Sequence, residues 1–376
     1  MASGDFESVV TNFGFDAIYG SGGNDEVRLG GGNDFSQGYA GNDSLFGEDG
    51  DDTLQGFEDN DSLEGGAGAD MLYGGDGDDV VTVDADDVVY SGGDGRDQLI
   101  YDATTDWSYA IASGDFEAIR SGSGNDSIYG SGADDEITLG AGHDFAQGYA
   151  GADEISGQNG NDTIQGFEGD DAIEGGAGVD HLYGGDGDDV VTVDADDAVY
   201  SGGTGRDALI YDASTDWSYA ITSGDFEAVT SGSGNDSIYG SGSDDEITLG
   251  AGNDFAQGYS GADTLRGGLG YDELQGFEGD DLIEGGGGDD TLSGGSGGDV
   301  FVFAGAFGHD SIWDFAPGSA GDVIRLENGP FADFNAVMNA AVQDGENTLL
   351  TLDAERSITL LGVSKSALQQ DDFVLI

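Results

Sequence analysis

The chain has 376 residues and a formal charge of -70, from 78 acidic against 8 basic residues. That charge excludes nucleic acid as a partner, because no basic surface exists to meet phosphates, and it disfavours an anionic membrane surface. Cysteine is absent, which excludes a disulfide framework and a thiolate metal site.

High charge with 73 glycines reads as disorder when unpatterned. Here Gly and Asp are strictly spaced, which predicts order once the aspartates are neutralised. No apolar run is long enough for a transmembrane helix. The opening MASGDFESVV has neither a basic n-region nor an apolar h-region, so it does not read as a Sec signal peptide.

In chain order, SGDFESVV at Ser3 is followed by a run of nine-residue units from Thr11 to Ile100. The plainest two units are GGAGADMLY and GGDGDDVVT, from Gly65 to Thr82. Each reads Gly-Gly-x-Gly-x-Asp, then an outward, an apolar and another outward residue. Glycine permits positive φ and close backbone approach in the six-residue turn. The eighth residue alone faces inward, as Ile18, Val27, Leu45, Leu54, Leu63, Leu72, Val81 and Leu99. Ser36, Ala146 and Ala256 are the small exceptions. Such units cannot bury an apolar face alone, so copies must stack.

Further runs span Ser121 to Ile210 and Ser231 to Val302, and a slipped unit, GAFGHDSIW, spans Gly305 to Trp313. SGDFEAIR at Ser113 and SGDFEAVT at Ser223 define a second period of 110 residues. Tyr101–Arg120 and Tyr211–Thr230 read as an eleven-residue loop followed by one unit, with Glu117 and Glu227 where Asp is usual. The units at Val83–Ser91 and Val193–Ser201 lack the glycines and the sixth-place Asp. They are expected to be structural half-turns without a complete metal site. The predicted domains are three long repeats, 1–112, 113–222 and a truncated 223–313, and a C-terminal region, 314–376.

From Asp314 glycine thins out and both prolines appear. DVIRLE, NTLLTLD and RSITLLGV alternate as strands do. Phe331 to Val342 predicts a short helix, with Phe334, Val337, Met338 and Val342 at helical spacing. A solenoid needs such a terminal cap to cover its last apolar coil.

The nonapeptide array resembles the RTX family, the repeats-in-toxin proteins with hemolysin-type calcium-binding repeats. The resemblance implies an all-β fold, a right-handed parallel β-roll with two nonapeptides per coil. On this chain that gives about 17 coils, a rod of ~80 Å, closed by a small β/α cap. It implies Ca²⁺ held between consecutive turns by glycine-turn carbonyls and the sixth-place aspartates. In the first block the matching residues are Asp16, Asp25, Asp34, Asp43, Asp52, Asp61, Asp70, Asp79 and Asp97. The second block has Asp126, Asp135, Asp144, Asp153, Asp162, Asp171, Asp180, Asp189 and Asp207. The third has Asp236, Asp245, Asp254, Asp263, Asp272, Asp281, Asp290 and Asp299, with Asp310 in the slipped unit. On the order of 20 ions are expected, with the all-oxygen ligation of Ca²⁺. The closing Asp371-Asp372-Phe373-Val374-Leu375-Ile376 is similar to the C-terminal segments of RTX proteins exported by type I secretion. The resemblance thus implies a secreted protein, at the cell surface or beyond it, that folds on meeting calcium.

No catalytic pattern competes with this reading. His143, His181 and His309 lie in separate units, and neither a Ser-His-Asp nor an HExxH pattern occurs. Carboxylate pairs abound, but the calcium pattern accounts for them, so no enzyme activity is expected. Aromatics are the other recurring signal. Tyr39 and Phe57 occupy the second place of units two apart, as do Tyr149/Phe167 and Tyr259/Phe277. Trp107 and Trp217 sit in matching WSY segments. These residues either close gaps in a thin fold or form patches ~29 Å apart, suited to self-association or to a polysaccharide or cell-surface partner. The expected role is structural, surface-layer, matrix or adhesive. The alternative is a non-catalytic secretion or targeting module of a larger secreted enzyme or toxin.

Overall fold

The nine-residue period becomes a strand and a turn, and the strands pair with an offset of two units. The computed structural model describes residues 8–87, 89–111, 115–197, 199–221, 225–318, 321–329 and 331–376. It is a parallel β-solenoid of about 16 turns, close to the 17 counted from the sequence, with one α-helix among the described residues. Two compact units form, Met1–Val191 with Asp196–Ser201, and Thr192–Ala195 with Gly202–Ile376.

In the first unit, Phe35–Ala40, Thr53–Glu58 and Met71–Asp76 make one face of the roll, with Ser36 opposite Leu54 and Leu54 opposite Leu72. Ser44–Asp49, Ser62–Ala67 and Val80–Val83 make the other, with Leu45 opposite Leu63 and Leu63 opposite Val81. Partners differ by 18 residues, so one coil is two nonapeptides. The eighth-place Leu45, Leu54, Leu63 and Leu72 are fully buried. Each contributes roughly 2 kcal/mol of apolar burial to a core only two side chains deep. Ser36, Ala146 and Ala256 are also fully buried, and their units place Leu29, Leu139 and Leu249 inside at the first position. Those three leucines add core that the eighth-place pattern does not show.

The segment Tyr101–Arg120 is more regular than an eleven-residue loop plus one unit. Ser108–Ala110 is a strand paired with Ser127–Tyr129, and Ala118–Arg120 pairs with both Gln98–Ile100 and Glu136–Thr138. Its described strands therefore take the two strand places of one coil, over a span two residues longer than two nonapeptides. In the second unit, Ser218–Ala220 and Ala228–Thr230 repeat this arrangement.

The C-terminal cap extends both faces of the second unit. Val300–Ala304 pairs with Val323–Glu327, whose other edge takes Phe373–Leu375. His309–Ile312 pairs with Ser357–Leu360, and antiparallel strands Asn347–Thr351 and Ala341–Asp344 follow outward. The helix is shorter than the predicted Phe331–Val342 and spans Phe334–Ala340. Asp333 caps its N-terminus by accepting from the Ala336 N–H, and Val337 is its buried residue. It stops at Ala341, where the backbone turns extended to pair across the Gly345 turn. Val342 then lies on a strand, 56% exposed, because its neighbour Ala341 takes the inward place instead. The terminal Asp372 is buried and accepts from the Gly318 and Gln369 N–H groups, so the closing residues are part of the cap.

Candidate metal-binding turns

Each turn is built from six residues, and its sixth-place aspartate does two separate jobs. The first oxygen links coils. Oδ1 of Asp43 accepts the backbone N–H of Asp25 at 2.7 Å, and Oδ1 of Asp61 accepts that of Asp43 at 2.8 Å. The same link joins Asp34 to Asp52, Asp52 to Asp70, and Asp61 to Asp79. It recurs from Asp126 to Asp144 and from Asp153 to Asp171 in the second block, and from Asp236 to Asp254 and from Asp281 to Asp299 in the third. Asp310 continues the row by accepting from Asp290. Aspartates 18 residues apart are thus joined amide to carboxylate, a relation the spacing alone did not reveal.

The second oxygen has no hydrogen-bond partner. Oδ2 of Asp34, Asp43, Asp52, Asp61, Asp70, Asp79 and Asp97 is buried and unsatisfied. So are those of Asp126, Asp144, Asp153, Asp162 and Asp171, and of Asp236, Asp254, Asp263, Asp272, Asp281, Asp290, Asp299 and Asp310. Backbone oxygens crowd the same space. A Cβ on Gly38 would collide with Oδ2 of Asp43, and one on Gly74 would meet both Oδ2 of Asp79 and the carbonyl of Gly92. A Cβ on Gly68 would collide with the carbonyl of Gly50 in the preceding coil. Positive φ favours glycine here as well, 96° at Gly66 and 142° at Gly68.

Burial raises these carboxyls above the usual carboxylate range. Desolvation pushes Asp43 to about 6, Asp61 and Asp70 to about 7, and Asp310 to about 8, and carboxylates of adjacent coils push the same way. Ionised and uncompensated, such groups oppose folding. Among the described residues no three His, Cys, Asp or Glu side chains converge. A cation in these turns would therefore take most of its ligands from main-chain carbonyls and the rest from Oδ2. That buried, anionic, all-oxygen set fits a hard cation of high coordination number, Ca²⁺ before Zn²⁺.

Several positions depart from the rule. Asp16 is only half-buried. Asp25, Asp135 and Asp245 have Oδ2 already occupied by the N–H of Ser21, Ser131 and Ser241, at 2.8, 2.6 and 2.6 Å. The serine at the second place was readable as the signal. Asp87 and Asp197 carry the coil link although they stand at the fifth place, accepting from Asp70 and Asp180 at 3.0 Å. Oδ2 of Asp87 accepts from Asp84 N–H, leaving no orphan oxygen in that turn. Glu117 and Glu227 make the link to Asp97 and Asp207 through Oε2. Asp322 does so for Asp299, and its other oxygen accepts from Ala316.

The aromatic residues divide into two groups. Tyr39 and Phe57 stack at 5.5 Å and 10°, Tyr149 and Phe167 at 5.7 Å, and Tyr259 and Phe277 at 5.7 Å. All six are 40–43% exposed and hold positive φ. Trp107 is instead half-buried between Tyr101 and Tyr109, at 4.5 and 5.1 Å, and Trp217 lies likewise between Tyr211 and Tyr219. The tryptophans fill the ring stack of the irregular coil. The histidines are not brought together. His143 Nδ1 accepts from the Asn161 N–H, and His309 Nδ1 meets Ser357 Oγ.

A profile described as the RTX calcium-binding nonapeptide repeat (4 copies) matches in overlapping segments across residues 2–90, 111–209 and 222–301. The chain belongs to the RTX calcium-binding nonapeptide repeat family. No curated protein sequence matches it. Among solved structures it is similar to the extracellular lipase LipA from Serratia marcescens, at 16% identity over 80% of this chain, with a TM-score of 0.27. It spans 45% of the length of that lipase. It is also similar to the AlgE6R3 subunit of the Azotobacter vinelandii mannuronan C5-epimerase, at 26% identity over 43% of this chain and 80% of that one, with a TM-score of 0.21. RTX repeats bind Ca²⁺, and the matched segments contain the orphan oxygens described above, apart from those of Asp97 and Asp310.

Proposed function

We propose that this RTX protein is a secreted calcium-binding β-roll that folds outside the cell and serves there as a structural or adhesive element. The observation that carries the reading is the row of buried Oδ2 atoms with no partner. Without cations these charges oppose the fold, and with Ca²⁺ the binding energy becomes folding energy. On the order of 20 ions would occupy the turns that hold an orphan oxygen. In a calcium-poor cytosol the acidic chain stays unfolded and able to thread a type I secretion channel. Outside, Ca²⁺ at ~10⁻⁴–10⁻³ M folds it. The region 314–376 leaves first and seals the growing roll, and the 110-residue repeats are the units on which function acts.

Circular dichroism tests this reading. The β signal is expected to vanish in excess EDTA and to return on adding Ca²⁺, and an unchanged signal in EDTA would sink it. Deleting Asp314–Ile376 should slow or abolish the calcium-driven folding, and unchanged folding would refute the sealing role.

A further inference from the structure

We propose that Phe57, Phe167 and Phe277 are the platforms of three slots that each take an ammonium or guanidinium group from a basic protein segment. The calcium turns do not need these rings. At the same second place the plain units carry Gly66 and Gly75, which hold positive φ at no steric cost. Phe57 holds φ 91° there, Phe167 86° and Phe277 80°, and each ring stays about 40% exposed. A residue that costs backbone free energy and remains in water is not serving the core.

The arrangement leaves one ring face open. On one side each Phe stacks against its Tyr partner in the preceding coil. On the other, the residue in register is glycine, namely Gly75, Gly185 and Gly295. In the first copy the next coil also carries glycine, Gly93 opposite Gly75. At ~4.8 Å per coil, a gap of about 10 Å beyond the Phe57 ring holds no side chain at that place.

The chemistry around the face selects the sign of the ligand. Glu58, Glu168 and Glu278 follow the three rings, and all are exposed. Asp76 pairs in register with Glu58, and Asp186 with Glu168, so carboxylates of two coils flank the first two faces. Ser296 replaces the second carboxylate at the third face. The π-face of Phe attracts cations, and the carboxylates exclude anions and strengthen that preference. The charge of -70 draws basic partners toward the whole chain.

The slots require only the calcium-loaded fold, which circular dichroism follows separately from binding. The test uses the full chain in saturating Ca²⁺ and a (Lys-Gly-Ser)₄ peptide, compared with its trimethyl-lysine counterpart by calorimetry. Trimethylation removes hydrogen bonds to carboxylates but keeps the charge for the ring. The methylated peptide should bind at least as tightly as the unmodified one. The triple variant F57G/F167G/F277G should lose about two- to fivefold in affinity per slot for both peptides. Its calcium midpoint for folding should stay or fall, since glycine suits the positive φ. The proposal is overturned if methylation abolishes binding, if the triple variant binds as the parent does, or if that variant needs more calcium to fold.

Discussion

The turn ending at Asp79 and the turn ending at Asp87 do the same mechanical work with different chemistry. Both give one carboxylate oxygen to an amide of the preceding coil, Asp61 for one and Asp70 for the other. In the Asp79 turn the second oxygen is buried with no partner, whereas in the Asp87 turn it accepts from Asp84 N–H. Stacking and cation demand are therefore separable properties of an RTX coil. Where the coil link forms, it uses the first oxygen, whereas the second is left without a partner in some turns, as at Asp79, and bonded to an amide in others, as at Asp87.

The largest effect expected on the two kinds of turn is that of pH. Desolvation holds Asp43 and Asp79 at about 6, and Asp61 and Asp171 at about 7, above the ordinary 3.8. Below about pH 4 both the folded and unfolded forms are protonated, and the metal-free fold pays no ionisation penalty. As pH rises from 4 through 7 the unfolded chain ionises first, and stability is lost. Acidification to pH 4 in EDTA should thus restore β structure that is absent at pH 7.5. Circular dichroism across that range checks this, and a flat response would break the account of the orphan oxygens.

A smaller but still large effect is expected from Gly74→Ala, whose Cβ collides with Oδ2 of Asp79 and the carbonyl of Gly92. This variant keeps every carboxylate yet should lose calcium at that turn, seen as reduced stoichiometry in calorimetry. Asp79→Ala and Asp87→Ala divide the two jobs directly. Each strands a buried amide and should cost about 1–3 kcal/mol in calcium-loaded urea unfolding. Only the first should also lower the number of ions bound; equal stoichiometry in both would erase the distinction. Smallest is Ser131→Ala, which removes the hydroxyl contact to Asp135 and keeps the N–H bond to Oδ2. It should shift stability by about 1 kcal/mol or less and leave the ion count unchanged.

The coil was legible because the strict nine-residue recurrence of an apolar eighth residue shows stacked units, and the resemblance to RTX repeats supplies the pairing two units apart. Leu45 opposite Leu63 and Leu54 opposite Leu72 agree with that pairing. The sixth-place aspartates were legible by their regular recurrence, and the resemblance gave them their expected role. The sequence did not carry Asp87, because a link made from the fifth place breaks the nine-residue period. Nor did it carry the strand Ser108–Ala110, whose Tyr109 comes ten rather than nine residues after Leu99, so the nonapeptide grammar reads it as loop. The early end of the helix at Ala340 depended on a hairpin partner, Leu349–Leu350, that helical spacing cannot see. The exposure of Phe57 and its open face are matters of register and φ, which composition leaves undetermined.

The amide-to-carboxylate row has a direction. Each aspartate donates its N–H toward the C-terminal side and offers Oδ1 toward the N-terminal side. A severed array would therefore expose carboxylate oxygens on one end and bare amides on the other, and Asp322 meets the last such amide, that of Asp299. The two ends are chemical opposites. Two fragments can be spliced head to tail with every donor matched, whereas head to head or tail to tail sets like against like. Polarity of this kind favours chimaeras joined at any sixth-place aspartate in a single orientation.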